Sequence, residues 1–213
     1  MRIAHWAAIG AILEAKEEML LTAKEFEDAR DAGYKSLAEL AQQLKGLEYP
    51  ATMVHMKPVN LNALEGLDRS GMSALLKDVP SKKDDGVDYV YILRANSDAI
   101  EEVGRLADCF GQIRTECKGF SRINAPNHSG SATLYVGRSK KLRERLSQHF
   151  GVINKNSKSP TYALWLRTWC GGHDLDITVS YMRFEGLDHL LVQAVEDGLW
   201  SSLKPVFGRR GDK

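Results

Sequence analysis

The chain has 213 residues and a formal net charge of +1, with 43% apolar and 27% charged residues, which suits a globular protein with a real core. No stretch offers the roughly 20 consecutive apolar residues that a membrane-spanning helix needs, which excludes an integral helical membrane protein. The three cysteines, Cys109, Cys117 and Cys170, are odd in number and widely spaced. A disulfide framework is therefore not expected, and a reducing, cytoplasmic compartment is.

The small net charge hides an asymmetry. Residues 1–85 carry 11 basic and 14 acidic side chains, whereas residues 86–213 carry 18 and 14. Within 138–158 stand Arg138, Lys140, Lys141, Arg143, Arg145, Lys155 and Lys158 against Glu144 alone. Such a cluster is the electrostatic footprint of a phosphate-backbone partner, with a merely solvated basic face as the bland alternative.

In chain order, residues 3–20 space Ala4, Ala8, Ala11, Ile12, Ala15 and Met19 at close to a helical period. Their acids at Glu14, Glu17 and Glu18 make this stretch a poor signal peptide. A second helix is expected over Thr22–Ala32, with Thr22 and Glu25 at capping-box spacing and Gly33 as its stop. A third opens at Ser36 and ends at Gly46, after which Pro50 and Pro58 mark an irregular passage. Leu61–Leu76 reads as one or two short helices interrupted near Gly71, and Pro80 with the polar run after it forms a boundary.

The period then changes. Val87–Leu93 is β-branched and aromatic and reads as a strand, Ile100–Phe110 as a helix, and Ala132–Val136 as a second strand ended by Gly137. Lys140–Phe150 is a basic helix and Ser159–Thr168 another. Asp176–Phe184 is a third strand, and Leu187–Leu203 a final helix closed by Pro205.

Chemistry concentrates at Tyr135, Arg145 and His149. Arg145 follows Tyr135 by ten residues, and His149 lies one turn further along the same helix face. A guanidinium offers a fork of donors to phosphate oxygens, and an imidazole exchanges protons near neutral pH. Glu196, near the middle of the last helix among apolar neighbours, suits a hard divalent cation.

Tyr91 in VYI, Tyr135 in YVG, Arg145, His149 and Glu196 before Lys204-Pro205 together resemble the GIY-YIG nuclease family over about residues 86–211. YVGRSKKLRERLSQHF is the most specific segment. The first motif lacks its glycine, so Tyr89 is an alternative to Tyr91, and 44 residues between the tyrosines imply an insertion at about 95–131. Gly208 stands where the family usually has an asparagine. The resemblance implies a metal-dependent DNA endonuclease that hydrolyses phosphodiesters with Mg²⁺ or another divalent cation such as Mn²⁺. Glu196 would hold the metal, Tyr91 or Tyr135 would orient or deprotonate water, and Arg145 would stabilise phosphate charge. His149 would assist proton transfer or hold a tyrosine hydroxyl. Arg138, Lys140, Lys141 and Arg143 would contact the DNA backbone.

The expected fold is α+β: a small mixed or antiparallel three-stranded sheet flanked by helices, in a domain of residues 86–213, preceded by a helical region over 1–85. The elaborations favour restriction or defence over repair or mobile-element cutting, and double-strand cleavage would favour a homodimer. The rival readings are a catalytically silent DNA-binding relative, a helix-turn-helix reader beginning at SLAELAQQLKG, and a zinc site from Cys109, Cys117, Cys170 and His173.

Overall fold

The computed structural model describes residues 23–48, 53–81, 87–114, 121–124, 128–151 and 162–210. The expected helix over 3–20, the Thr22 cap, Pro50, Cys117, Lys155, Lys158 and the start of the Ser159–Thr168 helix lie outside these residues. The chain divides into two compact units at Leu47/Glu48.

In the first unit a single helix, α1 (Ala23–Lys45), replaces the two expected there. It runs straight through Gly33. One glycine in a helix interior costs only about 1 kcal/mol, which the Ala, Leu, Lys, Glu and Gln residues around it outweigh. Gly46 ends the helix, donating its N–H to Gln42 O. None of the α1 residues is buried, and Phe26, Tyr34, Leu37 and Leu44 stand exposed along it.

The second unit is built on an open antiparallel sheet of five strands. They are β1 (Met53–His55), β2 (Val59–Asn60), β3 (Val87–Ala95), β4 (Thr133–Ser139) and β5 (Asp176–Glu185). The order is β1-β5-β3-β4, with β2 also pairing β5. The sheet therefore exceeds the three strands expected from sequence. The extra two come from residues 53–60, the passage expected to be irregular and grouped with the N-terminal helices. Pro58 has no N–H for a ladder, and the register against β5 slips by one residue across 56–58. Two very short strands therefore flank the break, and each is too brief to show a period of two in sequence.

β3 is central and buried on both faces, which matches the apolar and aromatic run Tyr89–Leu93 within it. β4 continues to Ser139 rather than stopping at Gly137. Gly137 sits opposite Tyr91 within the ladder, where a Cβ would stand 2.6 Å from the Tyr91 hydroxyl and from Tyr135 Cε1. The residue is there for close approach, not for a turn.

Five further helices complete the unit among the described residues: α2 (Leu61–Glu65), α3 (Arg69–Leu75), α4 (Ile100–Arg114), α5 (Leu142–Phe150) and α6 (His189–Leu203). The break between α2 and α3 falls at Gly66–Asp68, and Gly71 lies inside α3, where its N–H is capped by Asp68 Oδ1. α5 buries Leu142, Leu146, His149 and Phe150, a helical stripe of which one member is polar. The expected helix before Thr168 is absent from the described residues 162–165. Tyr162 and Trp165 have φ of 44° and 56°, and only a 3₁₀ turn follows at Leu166–Thr168. No helix among the described residues is long and apolar enough to cross a membrane.

α4 lies in the segment expected to be inserted between the first two strands. Its Phe110 packs against Trp169 at 4.7 Å and Phe207 at 4.9 Å, so the segment shares the core. Phe110→Ala should cost about 3–5 kcal/mol, measured by chemical denaturation. On the same helix, hydrogen bonds from His173 and then Arg105 hold the Glu102 carboxyl below its ordinary value of 4.5. A lowered folded-state value contributes stability that is present above about pH 4.5 and lost as the pH falls through it. Glu102→Gln should therefore flatten the acid limb of a stability–pH profile.

Candidate active site

The site is assembled where β3, β4, α5, α6 and the irregular stretch 162–165 converge. Tyr91 projects from the central strand with no exposed surface, and its ring stacks on Tyr135 at 6.0 Å. A phenol cannot sit in a core with its oxygen unpaired. Two donors answer this one. His149 Nε2 lies 2.9 Å from the Tyr91 hydroxyl, and Arg145 Nε donates to it at 3.3 Å.

The direction of the histidine bond follows from the other side of its ring. Leu164 N–H donates to His149 Nδ1 at 3.2 Å, so that nitrogen carries no proton. Burial, reinforced by the Arg145 charge, holds the His149 pKa well below its ordinary value and keeps the imidazole neutral. Its one proton is therefore on Nε2 and points at Tyr91. This fixed tautomer makes His149 a donor that holds a hydroxyl rather than a group free to shuttle protons. Tyr91 accepts from two sides, and burial, then the neighbouring Tyr135, raise its pKa against the opposing pull of Arg145. It stays a phenol.

Arg145 joins the two tyrosines. Its Nη2 donates to the Tyr135 hydroxyl at 3.3 Å and to the Tyr162 carbonyl at 3.2 Å, while Nη1 donates to Gln148 Oε1 at 3.0 Å. Burial pulls its pKa down, but the two tyrosine hydroxyls more than offset this, and the group remains a cation. The positive φ at Tyr162 is what aims that carbonyl at Arg145, a strained residue of the kind found where geometry is over-determined.

Glu196 lies on α6 with its side chain 13% exposed. Burial pushes its pKa up to about 7, against the lowering effect of Arg138, whose Nε is 3.7 Å away. Gln193 donates to it at 3.1 Å, and Arg145 and Tyr91 are close enough to interact with its charge. The donor set is one hard carboxylate whose charge is incompletely compensated, since 3.7 Å is too long for a hydrogen bond to Arg138. Among the described residues no three His, Cys, Asp or Glu converge on a common point. That set fits a cation of the Mg²⁺ kind, which accepts one or two carboxylates and keeps water for the rest of its shell.

The structure thus brings Tyr91, Tyr135, Arg145, His149 and Glu196 together, and of the two candidate tyrosines on β3 it places Tyr91 in the cluster. Tyr89 packs edge-on against Tyr181 at 6.3 Å instead. The basic residues separate. Lys140 and Lys141 are exposed and line a cleft of about 380 Å³ with Ser139, Glu144, Arg145 and Gln148. Arg138 is held internally, donating to Asp88 at 3.3 Å and Gln193 at 3.1 Å. Arg143 faces away from this cleft, donating to the carbonyls of Val79 at 2.8 Å and Lys77 at 2.6 Å beyond the end of α3.

Gln148 and Gln193 do not stand out in the sequence as site residues. Each lies three residues from a charged site residue on its own helix, at Arg145 and Glu196, a spacing that could have flagged them. The cysteines do not form a metal site among the described residues. Cys170 Sγ bonds the Leu61 carbonyl, and its thiol is pushed up to about 11 by burial. Cys109 Sγ lies 3.9 Å from the Trp169 carbonyl, and His173 is taken by Glu102.

No family model, no curated protein and no solved structure matches this chain. The functional reading therefore stands on its own residues. Arg143→Ala should lower folding stability by about 1–2 kcal/mol in denaturant titration, because two carbonyls lose a charged donor.

Proposed function

We propose that the chain is a divalent-metal-dependent DNA endonuclease of the GIY-YIG type, in a restriction or defence setting. The observation that carries this reading is the single Arg145 guanidinium donating to the hydroxyls of both Tyr91 and Tyr135, with the half-buried Glu196 carboxylate beside them. Two strand tyrosines, a half-buried cation and a half-buried acid in one cluster are the parts that phosphodiester hydrolysis needs: a water-orienting group, a stabiliser of phosphate charge and a metal anchor.

The roles follow from each residue's surroundings. Arg145, charged and fixed by its bonds, faces the phosphate and stabilises the negative charge that grows in the transition state. Tyr135 is less buried than Tyr91, and its hydroxyl orients the attacking water. Tyr91, held as a phenol by His149, sets the position of Arg145. Glu196 would hold a divalent cation, which would supply Lewis-acid stabilisation to the phosphate and the leaving oxygen. Lys140 and Lys141 grip the flanking backbone from the open cleft, giving affinity without sequence readout. The Lys141–Glu144 pair at 3.3 Å is solvent-exposed, so it is readily exchanged for a phosphate contact. One such site cuts one strand, so concerted cutting of both strands of a duplex favours a dimer.

Purified protein is incubated with supercoiled plasmid and with single-stranded DNA, in Mg²⁺ or EDTA. Metal-dependent cutting is expected, lost in Glu196→Ala with DNA binding retained. Arg145→Ala should lose roughly 100-fold or more in rate. Cutting by Glu196→Ala at the wild-type rate would overturn the site, and binding without cutting in any metal would leave a silent DNA-binding relative. Lys140→Ala should reduce the salt dependence of binding by about one phosphate contact.

A further inference from the structure

We infer that Gly208 is a positioning residue for Tyr135, and that the segment Leu203–Gly208, tied down by the residues between β3 and β4, is the strap that seats this tyrosine. A Cβ on Gly208 would lie 2.8 Å from Tyr135 Cε2 and 3.2 Å from Cδ2. On the other edge of the same ring, a Cβ on Gly137 would lie 2.6 Å from Cε1. The Tyr135 ring is therefore pinched between two glycine backbones, one from its own strand and one from the strap. Gly208 also has φ of +93°, a conformation L side chains rarely adopt. The position thus rejects a side chain for two independent reasons. An asparagine, the residue expected there from the resemblance, would carry its Cβ into the tyrosine ring.

The strap is itself held from both sides. Along the open edge of β4, Val206 N–H and Phe207 N–H donate to the carbonyls of Thr133 and Leu134, both at 2.9 Å, immediately before Tyr135. From the segment between β3 and β4, Asn124 N–H donates to Val206 O at 2.7 Å and Asn124 Nδ2 to Pro205 O at 3.0 Å. His128 Nδ1 donates to Pro205 O at 2.7 Å and Ser131 Oγ to Leu203 O at 2.8 Å. In return, Gly208 N–H donates to Arg122 O at 2.7 Å. All of these bonds converge on the six residues that end at Gly208. The segment between β3 and β4 is therefore more than an elaboration of the sheet. It fixes the backbone against which the Tyr135 ring rests, and so the 3.3 Å contact of its hydroxyl with Arg145.

The kinetic part of the test rests on the nuclease reading, and the spectroscopic part does not. Protein labelled with 3-fluorotyrosine gives a ¹⁹F resonance for Tyr135, assigned by its loss in Tyr135→Phe. In folded Gly208→Ala and Gly208→Asn that resonance should shift, and DNA cutting should fall on the order of 100-fold in kcat, as expected for a reacting group displaced by about 1 Å, with KM within a few-fold. Ser131→Ala and Asn124→Ala, which loosen the strap without touching Tyr135, should shift or broaden the same resonance and so keep the test decisive where the Gly208 variants fail to fold. An unchanged Tyr135 resonance in folded Gly208→Ala, or in both strap variants, overturns the inference. A wild-type protein that cuts nothing while its Tyr135 resonance responds to Gly208→Ala refutes the nuclease reading and leaves the strap intact.

Discussion

The hydroxyl of Tyr91 is the constraint on which the rest of the second unit turns. It lies with no exposed surface in the central strand, and a buried phenol without partners would cost a few kcal/mol. Satisfying it commits three pieces of chain at once. α5 must present His149 and Arg145 inward, although both are polar. The irregular stretch 162–165 must bring the Leu164 N–H to His149 and the Tyr162 carbonyl to Arg145. The neighbouring strand must have no side chain opposite, which is why Gly137 stands there. The positive φ angles at Tyr162 and Trp165 belong to the same requirement, because a helix through those residues would turn both groups away.

Charge is divided around this centre according to direction. The basic cluster reads in sequence as one footprint, yet its members have three different surroundings. Arg138 lies between Asp88 and Glu196, and it opposes the upward push that burial gives the Glu196 carboxyl. Arg143 closes the carbonyls beyond α3 and works for the fold. Among the described members, Lys140, Lys141 and Arg145 border the open cleft. Composition cannot make this division: Arg138 belongs to β4, Lys140 and Lys141 precede α5, and α5 turns Arg143 and Arg145 to different sides. Arg143 and Arg145 are only two positions apart, and on a helix residues at that spacing do not face each other.

Much of the architecture is legible in the sequence for a physical reason. The long strands and helices of the second unit declare themselves, β3 by its run of apolar and aromatic residues and α6 by apolar residues at a helical period. Chemical character also survives, since Tyr91, Tyr135, Arg145, His149 and Glu196 do meet in space. Glycine is where sequence and structure part. Gly33, Gly71 and Gly137 each read locally as the end or interruption of an element, and each lies inside one. At Gly137 the missing side chain makes room for Tyr135 and for Tyr91, which lies 46 positions away in the sequence, and no local pattern encodes the second of these. β1 and β2 leave no mark in the sequence because three and two residues hold no period, and they exist only through pairing with β5.

The fixed tautomer of His149 has the furthest consequence for the chemistry. Were Nδ1 unbonded, the imidazole could pass a proton from Tyr91 onward, and in the proposed hydrolysis either tyrosine could serve the water. With Leu164 N–H on Nδ1 and the Nε2 proton aimed at Tyr91, that route is closed while the ring stays neutral. The charge of Arg145, 3.3 Å from the Tyr91 hydroxyl, opposes a second positive charge on His149, and burial opposes it further. The pair of tyrosines is thereby made unequal by one backbone N–H. Tyr91 becomes part of the scaffold that holds Arg145, and the more accessible Tyr135, seated between Gly137 and Gly208, is left as the hydroxyl with room to act.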